Sequence, residues 1–396
     1  MKPSRLAIGL AITAIVAFVA PAVGMGTASG AATNSAASCD TPFNPWTATA
    51  TCLAAHGYHS IAPTGRQTLP GGGYEYIYTQ GGHQTDYPVP PPGFQPLSAS
   101  NTLLRTYGFP TRPRSPKQLP AWVSAMRAYR STVPVPHLVR RTAPGHLTAA
   151  PTASTIWAGY VNIGTSGTYS AVATDLSQPN LYPTRCSTDT WVGWVGLGGY
   201  LGTVALGDTL LQDGFGATTP ALPVSDALSN PTTSHGAEAW WEFYPTVGIQ
   251  PLPIYSSPSD TLLMSTRVTP TNSGVVVFFL ENATDGKTTS GRDNVGTSAT
   301  TAAGASAEVI DERSTLQYTT GKEVRTQLRR FTGDRWFNGQ VASGVTGTVV
   351  DPAETEASNT ITMRTGTTTL AIPSYPPVLN TNNNSSGFTD LWYACH

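Results

Sequence analysis

The sequence predicts an all-β protein, built as a sandwich or a barrel of short strands. Only 11% of the residues are charged, and there are 39 glycines and 33 prolines. Such a composition supplies many turns and few strong helix formers. After residue 155, short aromatic or β-branched runs recur between turn residues at roughly even spacing, which is typical of sandwiches and barrels. A chain of 396 residues allows one large domain with appendages, or two or three domains.

Residues 1–32 have the features of a secretory signal peptide. A positively charged start precedes an apolar run over residues 6–23, and small residues follow through Ala32. The alternative is an N-terminal membrane anchor, but the run is short for a span and Pro21 interrupts it. We therefore expect a secreted, extracellular protein without stable membrane association.

Residues 33–150 form a basic N-terminal segment and linker. We expect a short helix over residues 100–107, ending at Gly108, and an amphipathic helix from residues 115–120 to Tyr129. Residues 142–155 are mostly Thr, Ala and Pro, which indicates a linker open to cleavage.

The net charge changes sign along the chain. Residues 40–150 contain nine basic and three acidic residues, a net charge of +6, whereas residues 151–350 contain ten and sixteen, a net charge of −6. Opposite charges favour docking of the segment on the main domain, although two independently solvated surfaces would show the same counts. The whole chain has a formal net charge of −1 and lacks a basic run with interleaved aromatics, so no nucleic-acid partner is expected.

Strands are predicted throughout the main domain, residues 151–350. They cover residues 156–162, 169–174, 190–197, 209–215, 238–244, 262–268, 274–281, 308–312 and 324–331. Residues 351–396 form a polar tail, whose apolar end is expected to dock on this domain.

Several motifs are absent, which excludes common chemistries. The chain has no Gly-x-Ser-x-Gly elbow, no Asp-Thr/Ser-Gly run, no phosphate-binding glycine loop and no His-Glu-x-x-His. The seven histidines are scattered, so we expect no metal site and no cofactor.

Polar residues embedded in aromatic strands are the remaining candidates. Alternation along a strand places Glu308 and Glu312 on one face, and it also places Trp240, Glu242 and Tyr244 on one face. One interpretation is an edge strand with solvated acids. The other is a cleft floor where crowding and burial raise a carboxyl pKa.

Four ordered runs together resemble the glutamic peptidases of the eqolisin family, which includes the scytalidoglutamic and aspergilloglutamic peptidases. The family runs are Trp-Val-Gly-Ile-Asp-Gly, Leu-Gln-Thr-Gly, Ala-Trp-Tyr-Glu-Trp-Tyr-Pro and Ala-Glu-Trp-Ile-Val-Glu. The corresponding runs here are residues 191–196, 211–214, 239–245 and 307–312. In this match the family's Asp becomes Val195 and a family Trp becomes Val309.

The resemblance implies a two-sheet antiparallel β-sandwich, a lectin-like (concanavalin A) jelly roll, with a cleft on one concave face. It assigns catalysis to Gln212 and Glu312. The implied substrate-binding positions are Trp191, Trp240, Glu242, Tyr244 and, on the same predicted face as Glu312, Glu308.

The implied activity is an acid-acting endopeptidase for protein or peptide substrates. Glu312 would first take a proton from water and later return it to the leaving amine, and the neutral amide of Gln212 would stabilise the tetrahedral oxyanion. The N-terminal segment then becomes an intramolecular inhibitor that covers the cleft, and acidification would weaken its docking before cleavage in residues 142–155. We expect a monomer.

Four cysteines in an exported chain indicate two disulfides with three possible pairings. We favour Cys39–Cys52 within the N-terminal segment, which acts as a prosegment, and Cys186–Cys395 within the remainder, because this pairing permits release of the prosegment.

Three other functions fit the same residues. A lectin-like module could hold a sugar in the aromatic cleft. A retaining glycosidase could use Glu242 and Glu312 as its two carboxylates. An inactive surface protein is the third.

Overall fold

β-Strands dominate the chain from residue 153 onward, as its β-branched and aromatic runs predict. The computed structural model describes residues 49–55, 58–80, 83–113, 116, 119–133, 137–140, 153–182, 189–200, 209–218, 228, 233, 235–244, 247–269, 274–317, 323–343, 348–350, 360–373, 378–380 and 385–395. All of these belong to one compact unit that spans residues 37–396. The predicted signal peptide and residues 142–152 of the linker lie outside the described residues.

The N-terminal part contains both predicted helices and several strands that were not predicted. Its elements are α1 (Ala50–Ala55), β1 (Tyr58–Ile61), β2 (Gly65–Thr68), β3 (Tyr74–Gln80), β4 (His83–Val89), α2 (Asn101–Thr106), α3 (Leu119–Ala128), β5 (Ser131–Thr132) and β6 (His137–Arg140). Ser100 caps α2, because its side chain accepts a hydrogen bond from the Leu103 backbone N–H at 3.2 Å. Gly108 follows in the left-handed region, with φ of 78°.

Of the strands between residues 153 and 294, seven match the predicted positions within a few residues, whereas those at residues 153–154, 180–182, 247–256 and 287–294 were not predicted. The strands of this region are β7 (Ala153–Ser154), β8 (Trp157–Ile163), β9 (Tyr169–Ser177), β10 (Asn180–Tyr182), β11 (Asp189–Gly198), β12 (Leu210–Thr218), β13 (Ala237–Tyr244), β14 (Val247–Ser256), β15 (Thr261–Val268), β16 (Val275–Asn282) and β17 (Lys287–Asn294).

The remaining elements extend to the end of the described chain. They are α4 (Thr297–Ala303), β18 (Ser306–Glu312), β19 (Thr315–Gln317), β20 (Glu323–Arg325), β21 (Gln327–Leu328), β22 (Arg330–Thr332), β23 (Arg335–Ser343), β24 (Thr348–Val350), β25 (Thr360–Thr365), β26 (Thr368–Pro373), β27 (Val378–Asn380), β28 (Ser385–Phe388) and β29 (Asp390–Trp392). None of the helices in the described part of the chain is long and apolar enough to cross a membrane.

Two large, mainly antiparallel sheets form the protein, which confirms the predicted all-β sandwich. The first sheet has the order β14-β13-β12-β11-β18-β8-β25-β26-β29, with β21 and β7 paired beside it. The second sheet has the order β2-β3-β4-β17-β16-β15-β9-β23-β28-β27, with β24 and β5 paired beside it. Residues beyond 350 therefore contribute strands to both sheets, so this part is integral to the sandwich and not an appended tail.

The core lies between the two sheets, where the apolar side chains of both inner faces meet. From the first sheet, Trp191, Phe215 and Trp241 are fully buried. Trp241 stacks on Phe278 of β16 with ring centroids 5.1 Å apart. The opposite, outer face of the first sheet carries a separate apolar cluster that includes Trp157, Trp194 and Trp240.

Candidate active site

The outer face of the first sheet gathers the polar residues that the sequence singled out. In the antiparallel register, Gln212 of β12 lies opposite Glu242 of β13 and opposite Gly196 of β11. Glu312 of β18 lies opposite Val192 of β11. Because residues directly opposite each other project to the same side, Gln212, Glu242 and Glu312 share one face.

Gln212 is almost fully buried and is oriented by a carboxylate. Its side chain is 5% exposed, and its Nε2 donates a hydrogen bond to Glu242 Oε2 at 2.6 Å. Its Oε1 has no protein partner. The amide therefore keeps a second N–H and a carbonyl oxygen for a ligand or a water.

Glu312 sits beside two indole rings, which are packed edge to face. The Nε1 of Trp194 donates to Glu312 Oε2 at 2.8 Å, and the Trp157 and Trp194 ring centroids are 5.2 Å apart. Burial raises the pKa of Glu312 to about 8, the negative charge of Glu242 adds to the increase, and the N–H groups of Trp194 and Trp157 oppose it. The carboxyl is thus an acid whose proton is held near neutral pH.

Glu242 connects the two halves of this site. It accepts the hydrogen bond from Gln212, and its charge acts on Glu312. An amide, a carboxyl with a raised pKa and a second carboxyl therefore meet on one face, lined by aromatic rings. This arrangement can hold a water, deprotonate it and stabilise a developing oxyanion.

The strands that carry this face lie within a region that matches a known protein family. Residues 155–375 match the model of the peptidase A4 family, which is more than half of the 396 residues. The chain belongs to the peptidase A4 family. It is a glutamic endopeptidase, and the resemblance inferred from the four ordered runs is confirmed.

Solved structures of other glutamic peptidases are similar to this peptidase. Scytalido-glutamic peptidase with a transition state analog inhibitor has 20% sequence identity and a TM-score of 0.45, over 60% of this chain and 98% of that chain. SCP-B, an eqolisin in complex with the tripeptide Ala-Ile-His, has 18% identity and a TM-score of 0.44 with the same coverage. No curated protein sequence matches this peptidase.

The predicted cleft residues of this peptidase do not all lie on the site's face. Trp240 lies in the apolar cluster of that face, and Tyr244 packs against it. Trp191 instead points between the sheets, where it is fully buried in the core. Strand alternation causes this, because Trp191 and Trp194 are three residues apart on β11 and so project to opposite sides.

Trp-Val-Gly occurs twice in succession, and the second copy supplies the tryptophan of the site. The family run Trp-Val-Gly-Ile-Asp-Gly therefore corresponds to residues 194–199 of this peptidase rather than to residues 191–196. The position of the family's Asp then falls on Gly198, not on Val195. Gly198 and Gly199 have φ of 86° and 84° and lead out of β11, where a side chain would be strained.

Glu308 shares the face of Glu312 but lies beneath its surface. It is completely buried, so in this structure it does not present its carboxyl to a substrate. Burial raises its pKa well above the usual value, and hydrogen bonds from Ser306 and from the backbone of Tyr200 oppose the increase.

Neither Cys52 nor Cys395 of this peptidase is a free thiol. Cys39 and Cys186 lie outside the described residues, so the pairing of the four cysteines stays a prediction.

Sequence analysis missed a cluster of three buried carboxyls on the inner face of the first sheet. Asp311, Asp334 and Asp390 bring oxygen atoms within 4.8 Å of one another. The Nε1 of Trp336 donates to Asp311 at 3.0 Å, and the Asp390 backbone N–H donates to Asp334 at 3.2 Å. These N–H donors favour the ionised carboxylates, whereas burial favours the protonated ones. The cluster lies across the sheet from Gln212 and Glu312.

Proposed function

We propose that this peptidase is a secreted, acid-acting endopeptidase in which Gln212 and Glu312 activate the attacking water. The observation that supports the proposal is the shared face of Gln212 and Glu312, with Glu242 linked to both. Protein or peptide substrates follow from the family, and the aromatic lining of the face suits an extended peptide.

The proposed reaction uses one proton twice. The Glu312 carboxylate takes a proton from water, and the water oxygen bonds to the scissile carbonyl carbon. The carbonyl electron pair moves to its oxygen, where the free N–H of Gln212 stabilises the charge. Protonated Glu312 then returns the proton to the amide nitrogen as the C–N bond breaks.

Activity in acid requires that Glu312 is ionised at low pH. A base works only in its ionised form, and a pKa of about 8 in the empty site leaves little of that form in acid. Acid action therefore requires that bound substrate lowers the pKa of Glu312, for example by placing a peptide N–H beside it. The pH profile of kcat, which reports the substrate complex, should show its acidic limb well below that of kcat/KM. Acidic limbs near pH 8 in both profiles would contradict acid action while leaving the pair of residues intact.

Replacement of the glutamine tests the proposed oxyanion donor. Gln212→Ala should reduce kcat by about 10²–10³-fold, because loss of one such donor has that cost elsewhere. Gln250→Ala is a matched control, since Gln250 is a buried strand glutamine that donates to the Gly248 backbone. Circular dichroism should show both variants folded. Equal turnover of Gln212→Ala and the unmodified peptidase would exclude Gln212 from catalysis.

The proposal that the peptidase is exported depends only on the signal-peptide features of residues 1–32. N-terminal sequencing of protein from the culture medium should find a start in residues 29–33 for the earliest product, because cleavage is expected after the small residues 28–32. Retention of the intact chain in the cells would contradict secretion.

A further inference from the structure

Among the described residues, strands β2 to β5 of the N-terminal part are built into the second sheet. Strand β4 pairs antiparallel with β17 at Asp86–Arg292 and Thr85–Asp293, and β5 pairs parallel with the same strand. The Val133 backbone N–H donates to Thr288 O at 2.9 Å. Two strands from the N-terminal part therefore pair with β17, whose backbone groups would otherwise be exposed at a sheet edge.

Helices α2 and α3 cover the outer face of this sheet with apolar side chains. Phe109 is 1% exposed, and its ring centroid lies 5.2 Å from that of Phe279 on β16. Tyr107, Trp122 and Met126 are buried in the same cluster. Removal of the N-terminal part would expose this cluster to water, at a cost of about 25 cal/mol per Å² of apolar surface.

Polar groups of the second sheet bind the chain that follows α2. The Arg267 guanidinium donates to Phe109 O at 3.0 Å and to Gly108 O at 2.9 Å. Arg292 Nη2 donates to Thr106 O at 2.7 Å, and Ser290 Oγ donates to Tyr107 O at 2.8 Å. Four consecutive carbonyl oxygens at the end of α2 are thus satisfied by the second sheet.

Two carboxyls of the second sheet lie near the N-terminal part, because Asp175 lines a pocket with Trp122 and Met126 of α3, and the charge of Arg130 acts on Glu281. Burial raises the pKa of Asp175 to about 7, opposed by a hydrogen bond from Asn338. Burial raises the pKa of Glu281 well above the usual value; the charges of Asp175 and Asp285 add to this, and that of Arg130 opposes it. Raised pKa values mean that the docked arrangement is favoured when these groups are protonated. An ion pair between Arg292 and Glu75 of β3, at 3.4 Å, opposes this pH dependence. Because the buried carboxyls outnumber this one pair, docking is favoured in acid and weakens as the pH rises through about 7.

We propose that residues 58–133 remain bound to the peptidase after the linker is cut, as a second chain on the outer face and edge of the second sheet. This partner precedes the region that matches the family, residues 155–375. The proposal reverses the expectation that acidification releases the segment, and it places the segment away from the face of Gln212 and Glu312. It does not rest on the catalytic assignment.

Controlled cleavage of the full-length chain tests the proposal. A recognition site for a sequence-specific protease is inserted within residues 142–150, the protein is cut at neutral pH, and gel filtration at pH 4 and pH 8 is followed by denaturing electrophoresis. At pH 4 both fragments should elute together, and only denaturant should separate them. At pH 8 the two fragments should dissociate faster than at pH 4. Elution of the peptidase fragment alone at pH 4, or faster separation at pH 4 than at pH 8, would overturn the proposal.

Two variants locate the surface. Phe109→Ala in the cut protein should shorten the dissociation time at pH 8 at least tenfold, whereas Leu119→Ala, in the partly exposed first turn of α3, should not change it. If Phe109→Ala does not fold, Arg267→Lys takes its place, because a single ammonium cannot reproduce the fork to two carbonyl oxygens. Dissociation times equal to that of Leu119→Ala would overturn the assigned surface.

Discussion

Trp194 and Glu242 act on the ionisation of Glu312 in opposite directions. The indole N–H of Trp194 stabilises the carboxylate, whereas the charge of Glu242 destabilises it. The pKa of Glu312 is thus set by burial and by two neighbours that can be removed one at a time.

Paired substitutions should therefore move the acidic limb of the kcat/KM profile to opposite sides. Glu242→Gln removes the repelling charge, so the pKa of Glu312 falls and the limb moves to lower pH. Its side-chain carbonyl can still accept from Gln212. Trp194→Phe removes the N–H donor, so the pKa rises and the limb moves to higher pH. Shifts of the two variants in the same direction would contradict this account of Glu312.

The strands that carry Gln212, Glu242 and Glu312 could be predicted from the sequence, whereas the grouping of these residues in one site was implied by the family resemblance. The tryptophan of the site was predicted one motif copy too early. Tandem Trp-Val-Gly copies three residues apart give opposite faces, and the order of motifs alone does not choose between them. Leu197, which resembles the family's Ile more closely than Trp194 does, was the available signal for the second copy.

Glycine at position 196 of β11 leaves room for the Trp194 ring beside the site. Gly196 lies opposite Gln212, and a Cβ there would be 2.8 Å from the Trp194 ring. A side chain at this position must displace the ring that donates to Glu312.

Gly196→Ala is therefore expected to lower kcat/KM about tenfold and to raise the pH of its acidic limb, since the Trp194 hydrogen bond is disturbed. Gly72→Ala is a control for replacement of a glycine without a steric clash, because no atom lies within 4 Å of a Cβ at Gly72. Its φ of 92° adds some backbone strain. An unchanged limb in Gly196→Ala would show that the ring position does not set the pKa of Glu312.

Two causes account for strands that the sequence did not reveal, namely pairing with a distant part of the chain and prolines within the strand. Strand β4 meets β17 about two hundred residues later, and nothing in its own residues indicates that partner. Strand β14 contains Pro251 and Pro253, which argue against a strand by propensity. Its position at the edge of the first sheet explains why the prolines are tolerated.

The molecule as a whole buries many carboxyl groups, and this predicts a fold that is most stable in acid. Asp213 is completely buried, and burial raises its pKa to about 7. The hydrogen bond that it accepts from Thr266 at 2.7 Å opposes the increase. Burial also raises the pKa values of Asp311, Asp334 and Asp390. The charge of Asp311 adds to the increase at Asp334 and Asp390, whereas hydrogen bonds from these two neighbours oppose it at Asp311.

The sign follows from proton binding. A group with a raised folded pKa binds more protons when folded, so the stability it contributes is complete below about pH 4 and is lost as the pH rises through the folded value. For Asp213 the difference between 3.8 and about 7 corresponds to about 4 kcal/mol. Urea unfolding should show a free energy of unfolding that falls from pH 4 to pH 8. An increase over this range would contradict the prediction.

Asp390→Asn should reduce that loss. The asparagine amide keeps a donor toward Asp311 at every pH and removes one charge from the buried cluster, so the fall in unfolding free energy between pH 6 and pH 8 becomes shallower. Asp285→Asn, at the ion pair with Lys287, is the comparison variant. It should change the slope less than Asp390→Asn, because its charge is only a minor cause of the raised pKa of Glu281. If the free energy of unfolding falls equally steeply with pH in the two variants, the cluster does not cause the pH dependence.

Turnover of Glu312→Gln on a protein substrate at acidic pH, with Glu308→Gln as its partner on the same strand and face, tests the central assignment most directly. Glutamine at position 312 cannot take a proton from water, so kcat should fall at least 10³-fold, whereas the buried Glu308→Gln should stay within about tenfold of the unmodified peptidase. Unchanged turnover in folded Glu312→Gln would contradict the proposed mechanism.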